Sequence, residues 1–386
     1  MFRIAIVAGE ASGDLLGAGL IRAIRARRPD ICFEGVAGPR MMDAGCQVVF
    51  PAERLSVMGL VEILGRVPEA LRIRRALLQR YQVEPPDLFI GIDAPAFNTG
   101  LELRLKARGI PTVHYVSPSI WAWRQGRIHK IKRAVDLMLT LFPFEAPYYE
   151  AAGVPVRVVG HPLADAMPLA AAHVAAHEAL ALPPGKKIVA LLPGSRATEV
   201  KALGSLFLEA AKCLLTVRPD IHFAVPLATP VTRELFCQCL KSLATPLPVT
   251  VYDGRARDVL TAADAAIVAS GTVTLEAMLA QCPMVVAYRL SPLTFWLVER
   301  LARVTYCSIP NLLADDRLVP ELVQDAATAQ GLSEHVLRYL NDPDALSRTR
   351  ARFQALHRKL RQGADDAAAE AVLALLAARH APPGMS

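Results

Sequence analysis

Short apolar runs rich in β-branched residues alternate with longer helical runs, and this alternation limits the fold of the chain more than any other feature. In the first half it predicts a helix over residues 14–28 and helical segments between the later strands. Strands are expected at residues 2–8, 88–92, 112–116, 137–141 and 156–159. Strands that alternate with helices are typical of a parallel sheet with crossover connections. The first half therefore predicts a doubly wound α/β domain.

The same pattern restarts after an alanine-rich helical stretch that begins near residue 165. Further strands are expected at residues 187–192, 222–225, 249–251, 265–268 and 284–287. With 386 residues the chain is long enough for two domains, each with its own core. We predict two Rossmann-like domains, at 1–165 and 166–345, that face each other across a ligand-binding cleft. Helices at 346–386 are expected to pack back on the first domain or to exchange with a partner chain.

Composition and cysteine usage favour a cytoplasmic protein without a membrane span. Apolar residues make up 53% of the chain, yet no uncharged apolar run reaches the roughly 18 residues of a spanning helix. The first residues enter a strand pattern directly, so no signal peptide is expected. The 7 cysteines lack regular spacing, which argues against a disulfide framework. His173 and His177 have no third ligand in view, so no metal site is predicted.

The net charge of +7 suits nucleic acid, an anionic membrane or a phosphorylated small molecule as partner. Aromatic residues, at 6%, do not interleave with the basic ones, which disfavours nucleic acid. An apolar segment at residues 55–66 is followed by several arginines, as in a helix that lies on an anionic leaflet. A buried crossover helix with a solvated basic edge also explains this segment. The residues concerned are Val57, Met58, Leu60, Leu64, Arg72, Arg74 and Arg75.

Two glycine turns in the second half are typical of a pocket for a nucleotide diphosphate. Each turn follows a strand and begins a helix, where free N–H groups favour phosphate. The first contains Arg196, whose guanidinium fork suits a diphosphate, although a plain surface arginine is the alternative. The second is followed one helical turn later by Glu276, which can accept hydrogen bonds from two vicinal ribose hydroxyls. The predicted pocket residues are Gly194, Ser195, Arg196, Ser270, Gly271, Thr272 and Glu276.

The loop at residues 9–14 also follows a strand and begins a helix. Its glycines miss the spacing of dinucleotide-binding and Walker A loops. Glu10 would repel phosphate, so we expect it to meet sugar hydroxyls instead. The alternative is a plain turn in which Ser12 or Asp14 caps the helix.

Asp93 directly follows the apolar strand at residues 88–92, a position from which side chains reach the crevice of an α/β sheet. A carboxylate there can act as a general base toward a hydroxyl group. An Asx turn that ends the strand is the alternative, and these residues alone leave both open. Trp121, after the next strand, belongs to an aromatic loop that either lines an acyl or sugar site or simply packs.

Taken in order, these motifs resemble those of the lipid-A-disaccharide synthase family, glycosyltransferases of the two-Rossmann-domain GT-B type. The resemblance covers nearly the whole chain, which makes it far more specific than any single glycine loop. The segments that carry it are 7–14, 35–41, 57–59, 91–95, 115–119, 121–123, 160–162, 192–196, 270–278 and 310–313.

The resemblance implies an inverting transfer that needs neither a metal nor a cofactor. UDP-2,3-diacylglucosamine would donate its sugar to 2,3-diacylglucosamine 1-phosphate, giving a β-1,6-linked disaccharide 1-phosphate and UDP. Asp93 would be the base for the acceptor 6-hydroxyl, with Glu10 near the acceptor. Arg196 and Asn311 would hold the UDP diphosphate or its surroundings, and Glu276 would hold the ribose.

The resemblance also implies a peripheral position on the inner face of the cytoplasmic membrane in Gram-negative bacteria. Each buried methylene is worth about 0.8 kcal/mol, so two acyl chains would keep the substrates in the bilayer. This favours the interfacial interpretation of residues 55–80 and leaves a homodimer open. One departure is Ala96, where we expect a second acidic residue that would help to tune the base.

Two other functions remain open. A UDP-sugar 2-epimerase of the same fold explains the nucleotide motifs, but its soluble substrate leaves the apolar, arginine-flanked segment unexplained. A non-catalytic membrane-surface protein would bind UDP-sugar without turning it over. An acceptor requirement for UDP release distinguishes the transferase from both.

Overall fold

A computed structural model of the chain describes residues 2–55, 60–121, 125–170, 172–290, 295 and 305–380. The side chains of residues 60–67, 125 and 380 lie outside this description. Contacts divide the chain into two compact units, one of Met1–Asp165 with Leu360–Ser386 and one of Ala166–Lys359. Each unit is built on a parallel sheet with crossover helices, which confirms the predicted α/β fold.

The sheet of the first unit has seven strands among the described residues. They are β1 Arg3–Ala8, β2 Cys32–Ala37, β3 Cys46–Pro51, β4 Leu88–Ile92, β5 Thr112–Tyr115, β6 Leu137–Thr140 and β7 Val156–Val158. Their order across the sheet is β3-β2-β1-β4-β5-β6-β7, and all pairs are parallel. The order changes direction between β1 and β4, which is where sheets of this kind bind ligands. The loops after these two strands carry Glu10 and Asp93.

Helices cover both faces of this sheet. Successive residues of a strand point to opposite faces, so a continuous apolar strand has side chains to bury on both sides. In β1, Ile4 and Ile6 belong to one apolar cluster, whereas Ala5 and Val7 belong to another. All four side chains are fully buried. The helices are α1 Ala11–Arg27, α2 Pro39–Asp43, α3 Leu60–Val83, α4 Pro95–Lys106, α5 Ile128–Ala134, α6 Ala146–Ala151 and α7 Pro162–Ala166.

The second unit repeats this design with six described strands in the order β10-β9-β8-β11-β12-β13. They are β8 Lys187–Leu192, β9 Ile221–Leu227, β10 Val249–Asp253, β11 Ala265–Ala269, β12 Met284–Tyr288 and β13 Glu321–Val323. Here the order changes direction between β8 and β11. The helices are α8 His173–Ala179, α9 Ala197–Val217, α10 Pro230–Lys241, α11 Ala256–Ala262, α12 Val273–Leu279, α13 Ile309–Ala314, α14 Ala329–Asn341 and α15 Pro343–Leu360.

The chain returns to the first unit through α16, Ala364–His380. Gly363 separates α15 from α16 at a φ of 68°, a left-handed conformation that favours glycine. The N–H groups of Gly363 and Ala364 donate to the Asp165 carboxylate at 2.9 and 2.7 Å. α16 packs on α1, where the Arg27 guanidinium contacts Asp366 at 2.7 Å. In this single chain the last helix therefore packs on its own first unit.

Candidate active site

A cleft of about 760 Å³ opens in the second unit at the carboxyl ends of β8, β9 and β11. Its volume lies in the range of roughly 300–1,000 Å³ that is usual for small-ligand sites. The end residues Leu192, Leu227 and Ala269 of these strands form part of its wall. Seven of the predicted UDP-binding residues line this one cleft: Gly194, Ser195, Arg196, Ser270, Gly271, Thr272 and Glu276.

The first glycine turn of the cleft is bound by the side chain of Glu199. Its carboxylate accepts hydrogen bonds from the N–H groups of Ser195 and Arg196 at 2.9 and 3.2 Å. A side chain at Gly194, where φ is 127°, would collide with Glu199. These N–H groups, which we expected to face phosphate, are therefore occupied. The Arg196 side chain is 80% exposed, and its ion pair with Glu199 is long, at 3.4 Å. It is therefore the group of this turn that is available to an anion.

The second turn presents an open surface. Gly271 has a φ of 145°, and among the described residues no atom beyond its two chain neighbours lies within 4 Å of the position that a Cβ would take. Thr272 and Val273 line the cleft at the start of α12. The N–H groups of the next three residues, Thr274 to Glu276, already donate to the carbonyl oxygens of Gly271 and Thr272. The Ser270 hydroxyl donates to the carbonyl oxygen of Cys307 at 2.7 Å, which fixes the turn.

Glu276 lies one turn into α12, as expected, and its carboxylate is 3.5 Å from Nε of Arg257. Arg257 also lines the cleft, at the start of α11. Arg257 was not predicted from the sequence. The pattern that could have indicated it is the Asp253-Gly254 turn at the end of β10, the strand next to β9. The ion pair between Glu276 and Arg257 is long, and Arg257 adds positive charge to the cleft.

Asn311, which was predicted to hold the UDP diphosphate or its surroundings, is not among the residues that line the cleft. It is fully buried, and its amide donates to the Val319 carbonyl oxygen and to Glu321 at 2.9 and 2.8 Å. Its own oxygen accepts from the Val319 N–H at 2.8 Å. Glu321 in turn accepts from the N–H groups of Cys307 and Ser308 at 3.0 and 2.9 Å. Asn311 therefore supports the segment that holds Ser270, and its amide has little capacity left for a ligand.

In the first unit, Asp93 follows β4 in a strained loop. Its N–H donates to the Tyr115 carbonyl oxygen at 2.8 Å, and both Asp93 and Ala94 have left-handed backbones, with φ angles of 49° and 43°. The Asn98 amide donates to the carbonyl oxygens of Ile92 and Asp93 at 3.2 and 2.8 Å. Among the described residues, no hydrogen bond or ion pair of the Asp93 carboxylate is found. The loop is thus held by Asn98 instead of by an Asx turn, and the carboxylate is available to a substrate.

A buried acid–histidine pair lies in the two elements that flank this loop. Nδ1 of His114, in β5, is 2.6 Å from Oε1 of Glu102, in α4, and both side chains are fully buried. Burial raises the pKa of Glu102. Burial alone would lower the pKa of His114. The Glu102 carboxylate outweighs this effect with a further contribution from Asp93, so the pKa of His114 is raised. The pair is electrostatically coupled to Asp93. The Glu102–His114 pair is recognisable only in the tertiary structure, since in the sequence each of the two residues is a single polar side chain within its own element.

Glu10 is exposed at the start of α1 and lies in the loop next to the Asp93 loop. The neighbouring Gly9 approaches Ala94 closely, since an added Cβ would be 3.3 Å from the Ala94 Cβ. The alternative in which Asp14 caps α1 is wrong. Its carboxylate accepts from the N–H groups of Gly38, Arg40 and Met41 at 2.9–3.0 Å, so it caps α2 instead.

Trp121 packs in an aromatic cluster at the carboxyl edge of the first sheet. Its ring packs edge-on against Phe144, with the two ring centroids 5.0 Å apart, and its Nε1–H donates to the Glu145 carboxylate at 3.3 Å. The Phe142 N–H also donates to Glu145, at 3.1 Å. Burial raises the pKa of Glu145 to about 7.

The residues proposed for membrane contact fall mostly outside the described part of the chain. Val57 and Met58 are not described, and Leu60 and Leu64 are described only as backbone of α3. Arg72 and Arg75 are exposed, whereas Arg74 is half-buried. Burial, followed by the nearby Arg104 and Arg75, lowers the pKa of Arg74. In the described ranges, no helix has both the length and the apolar character that crossing a bilayer requires.

The fold is shared with solved structures that include a glycotransferase and an epimerase. A glycotransferase of kitacinnamycin superposes with a TM-score of 0.61 at 17% identity, over 96% of this chain and 98% of that one. A UDP-GlcNAc 2-epimerase from Neisseria meningitidis, solved with UDP-GlcNAc bound, superposes with a TM-score of 0.63 at 12% identity, over 98% of this chain and all of that one. At such identities the likeness shows the GT-B fold alone.

Sequence similarity is much closer to a single family. The family described as lipid-A-disaccharide synthetase matches residues 4–375. A lipid-A-disaccharide synthase from Pseudomonas putida (strain W619) is 55% identical over 373 residues, which are 97% of this chain and 98% of the relative. With this agreement over nearly its whole length, the chain belongs to the lipid-A-disaccharide synthase family of glycosyltransferases.

Proposed function

We propose that the protein transfers diacylglucosamine from UDP-2,3-diacylglucosamine to 2,3-diacylglucosamine 1-phosphate, releasing UDP and forming the lipid A disaccharide 1-phosphate. The family match over residues 4–375 carries the proposal. It is supported by the cleft of the second unit, which is lined by all but one of the residues predicted to bind UDP.

Asp93 acts as the general base of this transfer. Its carboxylate takes the proton of the acceptor 6-hydroxyl while that oxygen forms a bond to the anomeric carbon of the donor. The bond from this carbon to the UDP oxygen breaks on the opposite face, which inverts the configuration. The strained Asp93 loop and its hydrogen bonds from Asn98 support this role, because they fix the backbone from which the carboxylate extends before the substrate arrives.

Arg196 stabilises the leaving group. Negative charge grows on the UDP diphosphate as the bond breaks, and a guanidinium offers a planar pair of donors to phosphate oxygens. Its 80% exposure supports this role, because its ion pair with Glu199, at 3.4 Å, is long and leaves the side chain accessible to a ligand. Glu276 receives the ribose hydroxyls, and Asn311 acts indirectly by holding the segment behind Ser270.

The proposed enzyme works from the inner face of the cytoplasmic membrane as a peripheral protein. Its substrates carry two acyl chains each and stay in the bilayer, so the protein has to reach the surface. The apolar residues Val57, Met58, Leu60 and Leu64 would enter the leaflet, and the exposed Arg72 and Arg75 would meet anionic headgroups. A homodimer stays open, and light scattering of the purified protein measures it directly.

A UDP-release assay in mixed micelles tests the proposed reaction. The donor is supplied with or without diacylglucosamine 1-phosphate, and the lipid products are identified by mass spectrometry. We expect release only with the acceptor present, together with a disaccharide phosphate. Release without acceptor would instead support a hydrolase or an epimerase-like activity. UDP binding without any release would support the non-catalytic alternative.

A further inference from the structure

A second, smaller cavity lies beside the Asp93 loop in the first unit. It has a volume of about 130 Å³, and Pro95 and Ala96, which follow Asp93 closely in sequence, form part of its wall. Two cationic residues, Arg127 and Lys130, form another part. At about 30 Å³ per water molecule, the cavity has room for a phosphate group in place of a few waters.

The cations are aimed at this cavity by the packing of α5. Ile131 and Ala134 are buried in an apolar cluster, which fixes the rotation of the helix. Arg127 and Lys130 are three residues apart, so they share one face. The next two basic residues, Lys132 and Arg133, are exposed and do not line the cavity.

The electrostatic character of the cavity is positive. None of the residues that line it carries a carboxylate, and Ala96 contributes only a methyl group. Within the described ranges, Lys130 makes no ion pair, and its charge is felt by the buried Glu102, which is already bound to His114. A cation in this setting gains most from an anion that a ligand supplies.

The chemistry of the acceptor places an anion here. In a glucosamine 1-phosphate, C1 and C5 are both bonded to the ring oxygen, so the phosphate on C1 and the hydroxymethyl group on C5, which carries the 6-hydroxyl, extend from the two ring carbons next to that oxygen. A base that reaches the 6-hydroxyl therefore has the phosphate close by. We propose that Arg127 and Lys130 bind the 1-phosphate of the acceptor sugar next to Asp93. This inference rests on the proposed transferase function.

A comparison of two acceptors tests the inference. Acceptor-dependent UDP release is measured with diacylglucosamine 1-phosphate and with the same diacylglucosamine lacking the phosphate, for the wild-type enzyme and Lys130→Gln. Loss of one charge-assisted hydrogen bond should reduce the preference in kcat/KM for the phosphorylated acceptor by roughly tenfold or more. Lys130→Arg should restore most of the preference, and the KM for the UDP-sugar donor should not change.

Lys132→Gln is the matched control, because Lys130 and Lys132 are both exposed on the same helix and only Lys130 lines the cavity. An equal preference in Lys130→Gln, Lys132→Gln and wild type would overturn the inference. If Lys130→Gln does not fold, Arg127→Gln undergoes the same comparison.

Two further outcomes would also overturn the inference, each for a different reason. If Lys130→Gln keeps the acceptor preference but no longer floats with vesicles containing phosphatidylglycerol, the cations bind lipid headgroups instead of the acceptor. If the wild type releases no UDP in response to either acceptor, the proposed transferase function itself fails, and the inference fails with it.

Discussion

At the scale of single residues, the loop at Asp93 combines strain with a firm clamp. A left-handed backbone costs a non-glycine residue roughly 1–3 kcal/mol, and two such residues, Asp93 and Ala94, follow each other here. Two hydrogen bonds from the Asn98 amide and one to Tyr115 hold them there. Strain of this kind persists only where the surrounding structure enforces it, which suits a carboxylate that has to be in position before its substrate binds.

Replacing Asp93 with asparagine preserves the shape of the side chain but removes the proton acceptor. We expect turnover to fall by about 10²–10⁴-fold, with the affinity for UDP unchanged. Single-turnover kinetics and titration calorimetry measure the two quantities. Asp87→Asn is the control, because Asp87 accepts from the Arg3 N–H at 2.7 Å at the opposite end of β4 and should keep turnover. Near wild-type turnover in Asp93→Asn would remove this residue from the base role.

Arg196→Ala should weaken UDP binding by about 1–3 kcal/mol, the usual worth of a hydrogen bond to a charged group. Titration calorimetry measures the loss. The melting temperature should stay the same, because an exposed pair such as Arg196 with Glu199 contributes little to stability. Arg233→Ala is the matched control, since this arginine pairs with Asp253 at 2.9 Å and does not line the cleft. Equal UDP affinity in both variants would contradict the assignment.

At the scale of elements, strands were predictable where apolar side chains face both sides of a sheet. β4 and β8 occupy the residues predicted for them because every position reads as apolar or as glycine, apart from the leading Lys187 of β8. β2 escaped prediction because Glu34 and Gly35 interrupt its apolar run. Glu34 is nevertheless buried, and it is neutralised by Arg80 of α3 at 2.7 Å. A partner 46 residues away along the chain is invisible to local patterns.

The candidate site shows the same division. Loops directly after strands were predictable, so seven residues that line the cleft of the second unit, and the loop position of Asp93, could be named from the sequence. Groups that act through tertiary contacts were not: Glu199 occupies the N–H groups expected to face phosphate, and Arg257 approaches Glu276 from another helix. Which hydrogen-bonding groups remain available depends on such contacts and not on the motif.

Gly91, in β4, couples the strand to the buried pair of Glu102 and His114. An added Cβ would collide with Oε1 of Glu102 and would be 2.9 Å from the Asn98 Cβ. Gly91→Ala should therefore destabilise the protein by about 1–3 kcal/mol, the usual cost of overpacking, and should reduce turnover by moving Asn98. Urea unfolding and steady-state kinetics measure both effects.

Gly204→Ala is the control for this prediction. Its added Cβ would meet nothing closer than the Cys239 sulfur at 3.5 Å, and alanine is favoured over glycine inside a helix by about 1 kcal/mol. It should be neutral or slightly stabilising. If Gly91→Ala behaves like Gly204→Ala, the packing between β4 and α4 is looser than we infer.

At the scale of the whole chain, the two units repeat one design. In each, the strand order changes direction between two central strands, β1 and β4 or β8 and β11, and the candidate residues follow these strands. The repeated alternation made this much predictable. The return of α16 to the first unit was predicted only as one of two options, beside exchange with a partner chain, because its buried residues, Ala368, Val372 and Leu376, form the same apolar stripe that any surface helix presents.

Stability of the chain should depend on pH through Glu145. Burial raises the pKa of this carboxyl to about 7, whereas its ordinary value is 4.5. Between these values the folded state keeps a proton that the unfolded state has lost. The free energy of unfolding therefore falls as the pH rises through this window, by at most about 1.4 kcal/mol per pH unit from this group.

Glu145→Gln isolates that contribution, because the amide stays neutral at every pH. Compared with the wild type, the variant should gain stability progressively as the pH rises from 4.5 to 7, since only the wild type has to ionise a buried group. Urea unfolding at several pH values gives the difference directly. Glu150→Gln changes an exposed carboxylate of the adjoining helix and should keep the wild-type slope. A constant difference between Glu145→Gln and wild type across this range would contradict the prediction. It would mean that Glu145 ionises in the folded state as easily as in the unfolded state, because water reaches the aromatic cluster around Trp121.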